Sequence, residues 1–426
     1  MAQNDFKPNI GVGENAEHIH EDDIDNIYPH QNDNHFSEKI ARKKEFQHYS
    51  QELYTDDIKT FSDEFCNQTF ELRPHQTFLR NFLSKLTPYN SLLLYHGLGT
   101  GKTCSAITIA EDARRYFRQM GMNKKIMVVA SPNVQDNFKK QLFDVTKLDD
   151  KNGEFEMYSC VGNQLLEEIN PTGAIKDKDA LQKHAIRLID KYYEFVGYSQ
   201  LSIQIKKAKD AKKLKQIFEN RMIIIDEFHN IRQKENQSKV TTDSLSRLVK
   251  DVKHIRLLLL SATPMFNSYQ EIIWLVNFIN SNDKGAFIAE SDVFTPNGEF
   301  IVDKTTGEEV GKMKLVSSLN GYVSFVKGEN PYSFPYRIYP TLFDKEHSYL
   351  HQSVYPRYQF NNEIIVEQIR HLDIYTLQLQ HYQKRVYDHF INHLVQRKND
   401  VDMNSDMGVS NLALKGYRIL QIPLNA

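Results

Sequence analysis

Cysteine is scarce: Cys66, Cys104 and Cys160 are the only three in 426 residues, and none forms a CxxC pair. So few build no disulfide framework and fit a reducing, cytosol-like compartment. Long apolar runs are missing as well. Stretches such as Leu257 to Leu260 fall far short of the ~18 residues a membrane-crossing helix needs, and the polar amino terminus has no signal-peptide apolar block. The expectation is a protein that is neither secreted nor membrane-spanning. Charge of one sign is also lacking, since 53 Lys and Arg against 55 Asp and Glu leave a net charge of −2. Bulk electrostatics therefore advertise no polyanion partner, although a local basic groove would be hidden in that sum. The lone tryptophan, Trp274, falls in the apolar stripe of Ile272, Ile273, Leu275 and Phe278 and reads as core.

What is present is an ordinary globular composition, 40% hydrophobic and 25% charged, over a length that fits two or three domains of ~100–200 residues each. Residues 1–50 are rich in Asn, Asp, Glu and His without periodicity and read as a disordered polar tail. No cysteine accompanies its His18, His20, His30 and His35, which read as solvated side chains rather than a metal site. Beyond the tail, LLLYHG from Leu92, IMVVASP from Ile126, MIIIDE from Met222 and LLLLSAT from Leu257 are short, near-continuous apolar runs. Such runs suit strands buried on both faces of a parallel sheet. Helix-like segments follow them at Thr103–Gln119, Val134–Leu148, Leu181–Tyr193 and Gln270–Asn280. The alternation predicts a doubly wound α/β domain with its ligands at the carboxyl ends of the strands. After Asn282 the texture changes: Asp292–Glu309 reads as a strand, turn and strand, prolines interrupt Tyr322–Pro340, and Ile374–Arg397 returns to helical spacing.

Three motifs sit where the predicted strands end. In HGLGTGKT, His96 to Thr103, Gly97, Gly99 and Gly101 let the backbone turn tightly and aim its N–H groups at phosphate, with Thr100 between them. Lys102 would reach the β and γ phosphates of ATP, and the Thr103 hydroxyl would ligate Mg2+. The strict P-loop pattern asks for glycine at position 96, where this chain has histidine. In DEFH, Asp226 and Glu227 close a strand, so that Asp226 would hold Mg2+ and Glu227 would polarise the attacking water. Ser261, Ala262 and Thr263 end the next strand, where Ser261 and Thr263 are placed to hydrogen-bond towards His229 or Asp226 and couple nucleotide state to domain position, to cap the following helix, or both. Gln76, ahead of the loop in FELRPHQTFL, is placed to read adenine through its amide.

Together these segments resemble motifs I, II and III of superfamily 2 DExH helicases, Gln76 resembles their glutamine motif, and VVASPNVQDNFKKQLF resembles motif Ia. Further segments, SCVGNQLLEEINP, YYEFVGYSQL, SATPMFNSYQEIIWLVNFI and GYVSFVKGENPYSFPYRIYP, look like the helicase-like NTPases of nucleocytoplasmic large DNA viruses. That group includes the poxvirus early transcription factor small subunit and nucleoside triphosphate phosphohydrolase I. The resemblance implies a P-loop NTPase with a RecA-like first domain over residues 51–282. It implies an accessory insertion and bridge over 283–426, leading to a second RecA-like domain that carries motifs IV to VI. Arg385, Arg397 and Arg418 stand in the wrong context for that domain's arginines, so the chain is expected to continue in a longer protein. An ATPase working on nucleic acid, with duplex DNA first, is the implied activity, with a viral RNA polymerase or transcription factor subunit as partner and the virion or host cytoplasm as location. An ATP-binding module that hydrolyses little alone, and a restriction or chromatin-remodelling motor, remain open beside it. The lysines of KKAKDAKKLKQ from Lys206 read first as a solvated face, and Tyr322, Phe325, Tyr332, Phe334 and Tyr336 as packing rather than a base-stacking platform.

Overall fold

The computed structural model describes residues 27–31, 33, 35–47, 59–60, 63, 72–326, 338–351, 364 and 373–398, save gaps at 98, 152–153, 232–234 and 266–268; the side chains of 235–240 and 390–398 are not described. Short helices α1 (Phe36–Ala41) and α2 (Lys44–Gln47) precede α3 (Pro74–Phe82), β1 (Ser91–His96) and α4 (Lys102–Gln119). Then come β2 (Ile126–Val129), α5 (Pro132–Leu142), the antiparallel pair β3 (Leu148–Lys151) and β4 (Glu154–Met157), and α6 (Gln164–Ile169). Next are α7 (Lys178–Tyr192), β5 (Tyr193–Val196), α8 (Tyr198–Lys207), α9 (Ala211–Phe218) and β6 (Met222–Ile225). The unit ends with α10 (Glu235–Asp251), β7 (Arg256–Ser261), α11 (Glu271–Asn282), α12 (Val310–Leu319) and β8 (Val323–Val326).

Six of these strands form one parallel sheet in the order β5-β2-β6-β7-β1-β8. Alternate residues of the apolar runs serve opposite faces. Leu92, Leu94, Val128, Ile224, Leu258 and Leu260 pack with α3 to α7, whereas Leu93, Met127, Val129, Ile223, Ile225, Leu257 and Leu259 pack with α8 to α11. Both faces are covered, as expected of the α/β class. Truncating a fully buried residue such as Leu258 would cost about 2–5 kcal/mol.

Several expectations differ from this arrangement. Within residues 27–47, α1 and α2 are helical and bury Phe36, Ile40 and Phe46 against Phe78, Phe82 and Tyr89, where an unstructured polar tail was expected. Three spaced aromatic and aliphatic side chains supply the apolar contact that the surrounding polar residues concealed. Residues 1–26 and 48–50 of that tail lie outside the described residues. β5 and β8 escaped notice because YEFV and VSFV are only four residues long and carry polar residues. β8 pairs with β1, so the sheet continues past residue 282 into the segment read as an insertion. Asp292–Glu309 contains a single bridge, Phe294 to Phe300, in place of two strands. Cys104 and Cys160 form a disulfide that no sequence pattern signalled, because tertiary packing of α4 against the turn before α6 brings them together. Cys66 lies outside the described residues.

Tyr336–Ala426 forms a second compact unit. Its described part contains α13 (Pro340–Phe343), α14 (His381–Lys398) and a bridge between Ser348 and Tyr375. The Asp373 carboxylate organises it, accepting from Ser348 Oγ at 2.9 Å and Thr341 N at 2.8 Å.

Candidate nucleotide site

β6, β7 and β1 are adjacent, so the three motifs converge at their carboxyl ends. The loop after β1 turns through Gly99 and Gly101, whose φ angles of 76° and 79° lie in the left-handed region. At Gly101 the conformation is doubly required, because a Cβ there would stand 2.6 Å from Gln76 Nε2. α4 then begins at Lys102 with no side-chain cap, which leaves its first backbone N–H groups to face an anion. Thr103 lies in that same turn.

Lys102 Nζ donates to two carbonyls of its own loop, His96 O at 2.9 Å and Gly97 O at 3.2 Å. Burial lowers its pKa, while Glu227 and Asp226 act in the opposite direction through their charge. Its ammonium is therefore partly desolvated and held only by neutral oxygens, a state that a phosphate would relieve. Thr100 Oγ1 donates to Gly97 O at 2.8 Å, and His75 Nε2 lies 3.2 Å from Thr100 O.

Gln76 is 3% exposed and turned to the backbone. Its Oε1 accepts from Arg73 N at 2.9 Å, the side-chain half of a capping box for α3, and its Nε2 donates to Gly101 O at 3.3 Å. In this conformation the amide braces the loop. The departure from the strict loop pattern also has a physical account. His96 is fully buried, its Nε2 lies 2.9 Å from Ser324 Oγ on β8, and its ring meets His75 edge-on at 5.8 Å. Burial drops its pKa to about 3, so it is a neutral tie between the loop's root and the sheet edge.

Asp226 and Glu227 leave β6 through a tight turn in which Glu227 adopts φ 45°, an uncommon conformation for a side-chain-bearing residue that costs about 1–2 kcal/mol. The Asp226 carboxylate accepts from Glu227 N at 2.8 Å and is 7% exposed. Burial is the main reason its pKa rises to about 6, with the neighbouring Glu227 charge adding to the rise. Tyr198 donates to Asp226 O at 2.7 Å, and Phe228 stacks on Trp274 and Phe278 at 5.3 and 5.7 Å, so the turn is anchored on both sides. Trp274 thus packs against the core, as expected.

His229 Nδ1 lies 3.0 Å from Ser261 Oγ and 3.3 Å from Glu227 Oε2, which joins motifs II and III directly. Ser261 Oγ also accepts from Thr263 N at 3.0 Å, a turn local to the motif. The next helix, α11, starts only at Glu271 with Gln270 at its N-cap, so the expected capping by Ser261 and Thr263 is not what these residues do. Ala262 is half-buried and Thr263 exposed beside it. Sequence reasoning missed three supports: His75, Ser324 and Tyr198. Each acts through the fold rather than through spacing: all three lay in segments already singled out, FELRPHQTFL, GYVSFVKGENPYSFPYRIYP and YYEFVGYSQL, but nothing in those segments marked the individual residue.

The residues fit ATP and a divalent cation. The glycine turns expose a nest of N–H groups, Lys102 lacks an anionic partner of its own in the loop, and Glu227 Oε2 is buried without a hydrogen bond. Comparison with known proteins supports that reading. A family model described as SNF2-related domain matches residues 75–319, more than half of the chain. Two proteins of Acanthamoeba polyphaga mimivirus, each named "Putative ATP-dependent RNA helicase", are 26% and 29% identical over 73% and 72% of this chain, covering 28% and 49% of their own lengths. A "Putative helicase" of Frog virus 3 is 26% identical over 60% of the chain and 24% of its own length. The chain therefore spans about a quarter to a half of these relatives. A Sulfolobus solfataricus SWI2/SNF2 ATPase core solved with double-stranded DNA aligns over 83% of this chain and 59% of its own, at 17% identity and a TM-score of 0.35. With its P-loop, RecA-like parallel sheet and helicase-like, ATP-binding motif set, the chain belongs to the SNF2-related domain family.

Proposed function

We propose that this chain is the ATP-binding and hydrolysing half of a viral superfamily 2 motor that moves on duplex DNA, in the service of viral and especially early transcription. The observation that carries the reading is the convergence of the phosphate loop, the Asp226–Glu227 turn and the His229–Ser261 link on three adjacent strand ends.

In the proposed mechanism, the N–H groups of the glycine loop and of α4's first turn receive the β and γ phosphates. Lys102 exchanges its two loop carbonyls for phosphate oxygens, a trade of neutral acceptors for charged ones. Thr103 and Asp226 would hold magnesium, which would supply positive charge to offset that of the phosphates. Glu227, fixed by its strained turn, orients the water and polarises its O–H bond. His229 bonds Ser261 and also touches Glu227, so a change at the γ-phosphate is felt at the end of β7, from which the chain leads to α11. Work of this kind needs groups from a second domain, and in related phosphoryl-transfer enzymes an arginine reaching in is worth ~10³–10⁵ in rate.

The span of the chain, a quarter to a half of its relatives' length, favours a second reading for these residues in isolation. In that reading they bind ATP and a polymerase or transcription-factor partner in the virion or host cytoplasm but hydrolyse little alone. Steady-state and single-turnover hydrolysis, each with no nucleic acid, duplex DNA, single-stranded DNA or RNA, separates the two. Turnover stimulated most by duplex DNA supports the motor. Stimulation by RNA alone, as two relatives' names would have it, overturns the DNA assignment. Binding without turnover supports the partner module.

A further inference from the structure

The disulfide between Cys104 and Cys160 takes no part in the mechanism above, yet it stands directly behind the phosphate loop. Cys104 follows Thr103 in the first turn of α4. Cys160, 3% exposed, lies in the turn before α6. Their Cα atoms are 5.1 Å apart across a sequence separation of 56.

We propose that this pair is a modification site for a small hydroperoxide, and that closing the bond stiffens the phosphate loop and tightens nucleotide binding. The inference rests on the nucleotide-site reading. Its first support is how α4 is held. The helix's far part is fixed by ion pairs: Arg114 donates through Nε to Glu111 and through Nη1 to Glu168 of α6, each at 2.9 Å, and Arg118 adds a 3.0 Å contact to Glu168. Among the described residues the near part has no ion pair to another element. Its N-cap is Gly101, which lacks a side chain to cap the turn; Lys102 bonds only to carbonyls of the loop itself, and Gln76 adds one 3.3 Å bond from α3. The disulfide supplies the missing anchor and ties the turn to the element that α4's ion pairs already reach. A turn held in helical geometry presents its N–H groups to phosphate without first losing conformational freedom, which is how preorganisation raises affinity.

The second support is access. Cys160 lines a cavity of about 190 Å³ with Arg80, Thr108, Arg115 and Gln164. That volume admits a peroxide but no protein oxidant. Arg80 and Arg115 are the basic residues among its lining, Arg115 standing 3.8 Å from Asp112; the thiolate is the form of cysteine that attacks peroxide. Gln141 Oε1 lies 3.6 Å from Cys160 Sγ.

The chemistry closes without a further reagent. The Cys160 thiolate attacks one oxygen of hydrogen peroxide, an S–O bond forms as the O–O bond breaks, and the departing hydroxide takes the Cys104 thiol proton to become water. The Cys104 sulfur then attacks the Cys160 sulfur, an S–S bond forms as the S–O bond breaks, and the second hydroxide takes up the proton first lost by Cys160. Two thiols are oxidised by two electrons, and peroxide is reduced to two waters. A dithiol reductant reverses the bond by exchange.

The test uses the 426-residue chain with Cys66→Ser to remove the third thiol. The dissociation constant of Mg–ADP is measured after hydrogen peroxide and after dithiothreitol, with peptide mapping to locate the bond. The expected result is a Cys104–Cys160 link in the oxidised sample and a dissociation constant roughly threefold or more lower than in the reduced one. Cys160→Ser and Cys104→Ser should both bind like the reduced protein whatever the treatment. Equal affinity in the two redox states, a difference that survives Cys160→Ser, or absence of the bond after peroxide would overturn the proposal while leaving the nucleotide site standing. Absence of binding in both states would overturn the nucleotide reading and this proposal with it.

Discussion

Asp226 at the carboxyl end of the sheet and Asp283 at its amino end are both buried, and burial pushes both carboxyl groups up to about 6. Their surroundings differ. Asp283 has Ser91, Asn90 and Tyr322 as polar neighbours and Arg256 as a counter-charge, all of which act against the upward pull of burial. Burial lowers the Arg256 guanidinium to about 10, and it donates to Thr87 O at 2.8 Å. Asn282 Nδ2 reaches both Ser91 Oγ and Ile255 O at 2.9 Å, so this end of the sheet is knitted to the helices around it. Asp226 receives one backbone N–H, faces a like charge at Glu227, and shares a neighbourhood with an ammonium engaged only by carbonyls. One end sets its buried carboxylate near a buried guanidinium of opposite charge, so each moderates the other from within the protein. The other end leaves its charges for a ligand to complete, and stores instability where function requires it.

The sharpest way to break this comparison is to exchange damage between the two ends. Arg256→Ala should lower unfolding free energy by about 3–5 kcal/mol by leaving Asp283 uncompensated, while hydrolysis per folded molecule changes little. Chemical denaturation alongside active-site titration reads both quantities. Lys102→Ala and Glu227→Gln should do the reverse: each reduces hydrolysis by about 10²–10³-fold with little change in the denaturation midpoint. Glu227→Gln should keep ATP binding, and a filter or fluorescence binding assay distinguishes it from Lys102→Ala.

A smaller effect with an unusual sign is expected at Asp226. Its folded pKa lies above the unfolded value, so the folded state holds the proton more tightly. The stability it contributes is present below about pH 3.8 and is lost as pH rises through about 6. Asp226→Asn removes that loss, so the variant should be more stable than wild type at pH 7 by up to about 3 kcal/mol and nearly equal near pH 4, while losing hydrolysis. Melting curves across pH 4–8 would show whether the two proteins diverge in that direction. Ser324→Ala should have the mildest effect, about 1 kcal/mol, by taking away the partner of buried His96 Nε2, and a urea midpoint would register it.

Much of the cleft was legible because its chemistry is local in sequence. Glycines at 97, 99 and 101, the pair at 226 and 227, and Ser261 each follow an apolar run, and a parallel sheet delivers such strand ends to one side. The supports were not legible, because His75, Tyr198 and Ser324 matter only once distant strands are neighbours. His96 shows the limit most clearly: the sequence marked it as a deviation from a loop rule, whereas its role is a bond to a residue more than two hundred positions away. Short edge strands with polar residues, β5 and β8, escaped a periodicity argument that four-residue segments cannot satisfy. The helices within residues 27–47 escaped because composition averaged three buried apolar side chains into a polar background.

The central claim, that the carboxyl end of the sheet in this chain is an unfinished nucleotide site, is most directly tested by the thermal shift that Mg–ATP produces. Ligand binding to the folded state raises the melting temperature in proportion to occupancy. Wild type and Arg256→Lys should both shift upward with saturating Mg–ATP, and Lys102→Ala should not. An equal shift in Lys102→Ala, or none in wild type, would contradict the account.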